Sequence, residues 1–171
     1  MINLRKTLSE AKFSLQSAGV DHALIGGFAL AVYGNHRATS DIDILADGTK
    51  KELIKSALLG KGFVLRHESN EVLQFSGVGF LDIVLANRPL SQEMLKLAKM
   101  NQELGILILR AEDIIGLKIQ AYKNDPSREL QDKADIQKLL TLPSINVSDV
   151  KKYADLFEEW PIIQKLQSKK L

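Results

Sequence analysis

The combination of two adjacent glycines with two closely spaced aspartates constrains the fold of this chain most. An apolar segment ends at Gly26-Gly27, and after thirteen intervening residues a second apolar segment begins with Asp41 and Asp43. The two segments have the pattern of β-strands, joined by a short helix over residues 28–33 and a polar turn. Because side chains alternate along a strand, the two acids share one face, and the isoleucines that follow each of them share the other.

Two carboxylates one residue apart on one strand face can bind a hard divalent cation such as Mg²⁺. The glycines allow the backbone to approach a ligand closely, and the N-terminus of the following helix favours an anion. A phosphate site beside a metal site predicts nucleotide chemistry. Each motif taken alone also has a structural interpretation, as a tight turn or as solvent-exposed charge. Their joint spacing favours the nucleotide site.

The length and composition of the chain fit one domain with a sizeable core, or two closely packed lobes. The chain has 171 residues, of which 45% are hydrophobic and 26% charged, which are ordinary values for a globular protein. A net charge of +2 argues neither for nor against nucleic-acid binding. The lack of cysteine excludes disulfides, zinc–thiolate sites and cysteine nucleophiles. The three histidines show no metal-ligand spacing, and no hydrolase triad is evident.

No stretch of the sequence predicts membrane insertion. Charged residues interrupt the first twenty positions, so a secretion signal is not expected. No apolar window is long enough to cross a bilayer. We therefore expect a cytoplasmic protein with no membrane partner.

Periodicity divides the chain into an α/β part and a helical part, with a boundary near Arg110. Residues 1–110 form the predicted catalytic lobe, and residues 111–171 form a helical lobe that packs against it. The predicted strands span residues 22–25, 63–66, 72–75, 79–85 and 105–109, in addition to the strand that begins at Asp41; the last of them is expected to be buried on both faces. The predicted helices span residues 3–18, 49–59, 91–100, 112–124, 127–140 and 147–159, with a last turn or two after residue 160.

Polar residues interrupt apolar patterns at three further places. Asp82 lies in the middle of the strand over residues 79–85, where its burial is costly unless it is paired or bound to a cation, or unless that face is open to water. Lys118 lies on the apolar face of its helix and can extend to solvent or reach a phosphate. Asp132 shares an apolar face of the next helix and is flanked by Asp135; an ion pair with Lys118 or Arg128 is favoured over a catalytic role.

These residues resemble a known signature. The Gly26-Gly27 pair, the spacing to Asp41-Ile42-Asp43-Ile44 and the later Asp82 resemble the motif of the DNA polymerase β-like nucleotidyltransferase superfamily. The run from Arg37 to Asp43, together with Lys118 and Lys133-Ala134-Asp135-Ile136, is similar to the AbiE-toxin-like branch, which includes the nucleotidyltransferase toxins of type IV toxin–antitoxin systems. Lincosamide-type antibiotic nucleotidyltransferases have a motif of the same kind.

The resemblance implies a nucleotidyltransferase fold, an α/β (α+β) architecture with a mixed β-sheet flanked by helices and followed by a small C-terminal helical lobe. It implies that Asp41, Asp43 and Asp82 hold two Mg²⁺ ions, with Asp82 as a ligand or as the general base. The substrate is a nucleoside triphosphate, ATP among the candidates, contacted by backbone N–H groups of the glycines and by basic side chains. Asp132 and Asp135 are supporting residues. The candidate nucleotide-binding residues are Gly26, Gly27, Arg37, Thr39, Ser40 and Lys118, with fixing of the turn as the alternative role of Thr39 and Ser40.

Three functions remain open at this point. The first is a toxin-like enzyme that transfers a nucleotide to RNA, such as a tRNA 3′ end, or to a protein, and that has a cognate antitoxin as partner. The second is an enzyme that modifies a small molecule, of the lincosamide or aminoglycoside antibiotic type. The third is a nucleotide-binding module without turnover.

Overall fold

The structure, a computed structural model, describes residues 4–168, so the predicted helix start at residue 3 lies outside the described residues. The chain divides into two compact units. The first comprises the residues up to Ala29 together with Arg37–Leu109, and the second comprises Leu30–His36 together with the residues from Arg110 onward. Among residues 4–168, no helix combines the length and the apolar character that crossing a bilayer requires.

Within the described residues, the first unit contains one mixed, seven-stranded sheet with the strand order β3-β4-β5-β2-β1-β7-β6. The β2–β5 and β1–β7 pairs are parallel, and the other neighbouring pairs are antiparallel. This sheet confirms the predicted fold class. The strands are β1 (His22–Ile25), β2 (Asp41–Asp47), β3 (Val64–Glu68), β4 (Val72–Ser76), β5 (Phe80–Ala86), β6 (Lys99–Asn101) and β7 (Ile106–Ile108).

Strand β2 lies at the centre of the sheet, and its alternation explains its place there. Ile42 and Ile44 are fully buried, whereas Asp41 and Asp43 on the opposite face are half-buried. Burial of the apolar face stabilises the strand against the core. The same alternation leaves the two carboxylates together on a face that water and a ligand can reach.

Helices α1 (Leu4–Ser17) and α4 (Pro89–Leu97) pack against β2 and β5, and α1 also packs against α3 (Lys51–Leu59). A single 3₁₀ turn, Gly48–Lys50, precedes α3. Helix α2 (Gly26–Val32) follows β1 without a break. It therefore begins two residues before the predicted start at residue 28, because the glycines form its first turn.

The predicted helix over residues 91–100 is wrong at both ends. The helix α4 begins at Pro89, whose fixed φ suits a first helical position. It ends at Leu97, and Met100 belongs to β6, where it pairs with Leu107 of β7. The predicted strand over residues 105–109 is present as β7, but Leu107 is half-exposed. The expectation that this strand is buried on both faces is therefore wrong at that residue.

The second unit is helical from Ala111 to Ser168. Helix α5 packs against α6 and α7, and α8 packs against α6 and α7. Gly116 allows α5 to approach α7 closely, since a Cβ there would lie 2.8 Å from Tyr153 Cγ. The predicted helix over residues 147–159 ends at Leu156. The helices are α5 (Ala111–Asn124), α6 (Glu129–Leu139), α7 (Val147–Leu156) and α8 (Trp160–Ser168), with a 3₁₀ turn, Pro126–Arg128, before α6.

A buried polar cluster joins α5 to α7 in this unit. Asp113 is fully buried and accepts hydrogen bonds from Arg110 Nη2 at 2.8 Å and from the Tyr153 hydroxyl at 2.6 Å. Arg110 also pairs with Asp149 of α7 at 3.1 Å. Because a buried carboxylate is costly unless it is fully paired, these contacts specify how the two helices meet.

Candidate active site

Two neighbouring parallel strands bring the three predicted acids together. β2 and β5 are paired so that Asp43 lies opposite Asp82. Asp41 precedes Asp43 by two residues and lies on the same face. One carboxylate oxygen from each of the three residues lies within 4.8 Å of the other two. The pairing of the strands thus converts acids that are distant in sequence into one cluster, called here the acid cluster.

Two neutral side chains donate hydrogen bonds to the acid cluster. Gln74 pairs with Asp82 across β4 and β5, and its Nε2 donates to Asp82 Oδ2 at 3.0 Å. Thr39, in the turn before β2, donates from Oγ1 to Asp41 Oδ1 at 2.9 Å. A hydrogen bond donated to a carboxylate favours its ionised form and orients it. Two of the three acids are therefore held by uncharged donors.

Gly26 gives the backbone a close approach to the acid cluster. Its φ is +65°, in the left-handed region that glycine adopts without strain. A Cβ at Gly26 would lie 1.9 Å from Asp43 Oδ2, and a Cβ at Gly27 would lie 2.7 Å from Thr39 Oγ1. Both glycines are therefore in contact with residues at the acid cluster, where any larger residue would displace a neighbour.

The electrostatics of the acid cluster are those of crowded like charges. Burial raises the pKa of Asp82, and the negative charge of Asp41 raises it further, while the hydrogen bond from Gln74 acts in the opposite direction. Asp82 is half-buried, so its face of the sheet is only partly open to water. A carboxylate in this setting is stabilised by any positive charge placed beside it.

The acid cluster fits a divalent metal ion. Its donors are carboxylate oxygens, the hard ligands that Mg²⁺ prefers. Their spacing within 4.8 Å concentrates negative charge that a cation would neutralise. The absence of a side chain at Gly26 leaves room for the Asp43 carboxylate in the acid cluster. The acid cluster could therefore bind a metal ion through Asp41, Asp43 and Asp82.

The remaining predicted residues of the first unit lie in the loop before β2. Arg37 and Ser40 have exposed side chains, and Arg37 Nη1 donates to the Ala38 carbonyl at 3.3 Å. Thr39 is half-buried, and its bond to Asp41 fits the alternative role of fixing the turn. A nucleotide contact by any of these three residues stays a prediction.

In the second unit, Lys118 forms the centre of a buried ion-pair cluster. Its Nζ lies 2.7 Å from Asp132 Oδ1 and 2.7 Å from Asp135 Oδ2. Arg128 Nε also pairs with Asp132 Oδ2 at 3.2 Å, and Asn35 Nδ2 donates to Asp135 Oδ1 at 3.0 Å. Lys118 and Arg128 were predicted as alternative partners of Asp132, and both ion pairs are present. Lys118 is 6% exposed, so it does not extend to solvent; its contact with a phosphate stays a prediction.

The sequence analysis missed the neutral partners of these charged groups. Gln74 lies between the buried Leu73 and Phe75, and this alternation indicates that it faces away from the core. Its contact with Asp82 follows only once the register of β4 on β5 is known. Asn35 precedes Asp135 by 100 positions, and no local pattern connects them.

A mixed sheet that presents an Asp-x-Asp pair and a third aspartate beside a glycine turn defines the class of nucleotidyltransferases. Residues 8–160 match the family described as nucleotidyl transferase AbiEii toxin, type IV TA system. The chain therefore belongs to the AbiEii family of nucleotidyltransferase toxins, and it is an enzyme of this type. The predicted resemblance to the AbiE-toxin-like branch is confirmed.

Solved nucleotidyltransferase structures share the fold. The antibiotic-resistance factor ANT(2'')-Ia has a TM-score of 0.60 and 14% identity, over 98% of this chain and 91% of its own. The lincomycin-bound lincosamide antibiotic adenylyltransferase LnuA has a TM-score of 0.57 and 16% identity, over 81% and 98%. An antigenic nucleotidyltransferase-like protein from Paracoccidioides brasiliensis has a TM-score of 0.55 and 19% identity, over 98% and 93%. No curated protein matches the chain.

Proposed function

We propose that the chain transfers a nucleoside monophosphate from a nucleoside triphosphate to a hydroxyl group of an RNA 3′ end, with Mg²⁺ held by Asp41, Asp43 and Asp82. The observation that carries the proposal is the convergence of three carboxylate oxygens within 4.8 Å on β2 and β5. Membership of the AbiEii family supports the transfer chemistry.

The three acids are proposed to hold the metal ions, with Thr39 and Gln74 orienting two of them. Bound divalent cations neutralise the triphosphate and lower the pKa of an acceptor hydroxyl. In the transfer, the acceptor oxygen forms a bond to the α-phosphorus, the bond from that phosphorus to the β-phosphate oxygen breaks, and pyrophosphate leaves. Asp82 is proposed either to accept the hydroxyl proton or to complete the metal site.

The triphosphate is proposed to lie along the glycine turn, where backbone N–H groups of Gly26 and Gly27 would donate to phosphate oxygens. Arg37, which is exposed in the loop before β2, would neutralise the charge of the departing pyrophosphate. The phosphate contact predicted for Lys118 concerns the second unit and stays a separate prediction. A phosphate there would compete with Asp132 and Asp135 for the ammonium.

The family favours an essential cellular acceptor. A toxin must modify something that growth requires, and transfer to a tRNA 3′ end is one such modification. A long RNA footprint would need many basic contacts, whereas the net charge is +2. A short 3′ end needs few contacts and therefore agrees with this charge. A protein hydroxyl is the other acceptor that the family leaves open.

The test is incubation of the purified chain with each labelled nucleoside triphosphate, Mg²⁺, total RNA and extract proteins. We expect label in RNA from the wild type, and a loss of about 100-fold or more for Asp41→Asn and Asp43→Asn. Asp47→Asn, on the same strand β2 and bound to Gln92, is the matched control and should transfer normally. Transfer by the first two variants at the wild-type rate would refute the metal assignment, and label in protein alone would refute the RNA acceptor.

A second candidate is transfer to a small molecule. The structural match covers 91% of the antibiotic-resistance factor ANT(2'')-Ia and 98% of the lincosamide antibiotic adenylyltransferase LnuA. The chain therefore matches nearly the full length of two proteins that are named for antibiotics. Expression that protects cells against an aminoglycoside or a lincosamide without slowing growth would favour this function. Growth inhibition that is relieved by Asp41→Asn and Asp43→Asn would favour the toxin.

A further inference from the structure

Gln74 contacts the acid cluster although neither the acid motif nor the glycine turn includes it. It is the register partner of Asp82 in the antiparallel β4–β5 pair, and the two side chains are joined by the 3.0 Å hydrogen bond from Nε2 to Oδ2. Leu73 and Phe75 on either side are buried in the core. The backbone at Gln74 is therefore anchored at both neighbours, and its amide reaches Asp82 from a fixed position.

The acid cluster needs such a donor because its charges repel one another. Three carboxylate oxygens lie within 4.8 Å, and like charges at this separation favour rotation of a side chain away from the other two. Asp82 comes from β5, a different strand from Asp41 and Asp43. Strand β5 lies between β4 and β2, so the hydrogen bond from Gln74 holds one Asp82 oxygen on the β4 side and restricts rotation of the carboxylate.

We propose that Gln74 is a positioning residue that fixes the orientation of the Asp82 carboxylate beside Asp41 and Asp43 and so preserves the metal affinity of the acid cluster. The inference rests on the proposed metal role of the three acids. Glutamine suits the role because it donates without adding charge. A lysine or arginine at this place would neutralise the negative charge that attracts a cation.

A merely structural role for the same bond predicts a different outcome. The backbone ladder joins β4 to β5 at four register pairs, and the bond from Gln74 to Asp82 joins side chains only. Its loss should therefore leave the sheet intact while freeing the Asp82 carboxylate. Metal affinity, measured in the absence of substrate, separates positioning from structural support.

The test compares the metal-free full chain with its Gln74→Met variant, which keeps the side-chain length and removes the donor. Mn²⁺ binding is measured by electron paramagnetic resonance, and kcat and KM for the triphosphate by a transfer assay. We expect the Kd for Mn²⁺ to rise about 10–100-fold and kcat to fall by a similar factor. This is the usual effect of removing a hydrogen-bond partner of a metal ligand. The KM for the triphosphate should stay within about threefold, since no nucleotide contact is lost.

The matched control is Gln92→Met. Gln92 also donates from Nε2 to an aspartate, Asp47, at 3.1 Å in the same unit, but Asp47 lies outside the acid cluster. This variant should bind Mn²⁺ and transfer nucleotide like the wild type. If Gln74→Met does not fold, as judged by circular dichroism, Gln74→Val replaces it, because valine favours strands and has no hydrogen-bond donor.

The outcomes separate this inference from the proposed function. Loss of Mn²⁺ binding in Asp82→Asn, combined with wild-type affinity in folded Gln74→Met, would overturn the positioning role and leave the proposed function standing. A wild-type chain that neither binds Mn²⁺ nor transfers nucleotide would overturn both. Weakened Mn²⁺ binding in Gln74→Met with an unchanged Gln92→Met control would support the inference.

Discussion

Asp43 and Asp82 are register partners on adjacent parallel strands, β2 and β5, and their carboxylates belong to one cluster with that of Asp41. Parallel strands cannot be joined by a tight turn, and here α3 and the β3–β4 hairpin form the connection. The hairpin also carries Gln74, the donor to Asp82. The connection that makes the parallel pairing possible therefore also supplies a residue that supports the acid cluster.

Gly26→Ala should abolish metal binding and nucleotide transfer. An alanine Cβ would lie 1.9 Å from Asp43 Oδ2, so the Asp43 carboxylate must move. The left-handed φ adds a strain of about 1–2 kcal/mol. The loss of metal binding is measured as Mn²⁺ affinity, the loss of activity as the transfer rate, and the backbone strain as the free energy of unfolding in urea.

Gly19→Ala is the matched control for that variant. Gly19 has the same φ of +65°, and a Cβ there would meet nothing within 4 Å. We expect a similar loss of stability with normal Mn²⁺ binding and transfer. Equal losses of activity in the two variants would show that backbone strain, and not the contact with Asp43, causes the defect.

Asp82→Asn should stabilise the metal-free protein at neutral pH. Burial raises the pKa of Asp82, so the folded chain binds this proton more tightly than the unfolded chain. The wild-type free energy of unfolding therefore falls as pH rises from the ordinary aspartate range through the raised pKa, and then levels off. Asparagine does not titrate and can still accept the bond from Gln74. We expect a gain of about 1 kcal/mol or less above the raised pKa, measured by urea unfolding in EDTA.

Asp149→Asn provides a control of opposite sign. The hydrogen bond from Lys152 and the pairing with Arg110 lower the pKa of Asp149, so its carboxylate stabilises the fold above the ordinary aspartate pKa. This contribution is lost as pH falls through the lowered pKa. We expect Asp149→Asn to destabilise the chain at neutral pH, with a difference that vanishes in acid. A loss of stability at neutral pH in Asp82→Asn as well would contradict the raised pKa of Asp82.

Thr39→Val should separate a turn-fixing role of Thr39 from a nucleotide contact. Valine keeps the shape and removes the hydroxyl that donates to Asp41 Oδ1 at 2.9 Å. If the hydroxyl only orients Asp41, Mn²⁺ affinity and kcat fall by about 10-fold and KM for the triphosphate is unchanged. Thr39→Ser retains the donor and should restore both. A rise in KM without a change in Mn²⁺ affinity would assign Thr39 to the nucleotide.

Lys118→Met should destabilise the helical unit strongly. Asp132 and Asp135 are 1% and 2% exposed. Removal of the Lys118 ammonium leaves both carboxylates buried with less positive charge to balance their negative charge. Breaking a buried pair from one side costs about 3–5 kcal/mol. Lys138→Met, on the exposed face of α6, should change the free energy of unfolding by less than about 0.5 kcal/mol. Urea unfolding measures both, and a loss below about 1 kcal/mol in Lys118→Met would contradict the structural role.

Local patterns in the sequence were sufficient for the elements that carry the site. Alternation of apolar and polar residues predicted β2 and the placement of Asp41 and Asp43 on one of its faces, since period two follows from strand geometry alone. The apolar run around Asp82 predicted β5 for the same reason. The helix boundary after Leu97 was not predictable locally, because Met100 joins a strand only through its pairing with Leu107.

The sequence by itself determined the class of the fold, the glycine turn and the identity of the acids, because these depend on residue type and short-range spacing. Only the tertiary structure decided that Asp82 is the register partner of Asp43, that Gln74 donates to Asp82 and that Asn35 donates to Asp135. The physical reason is that strand register and helix packing are set by the burial of whole faces. The contacts of Gln74 and Asn35 follow from that burial, and no local pattern of the sequence indicates them.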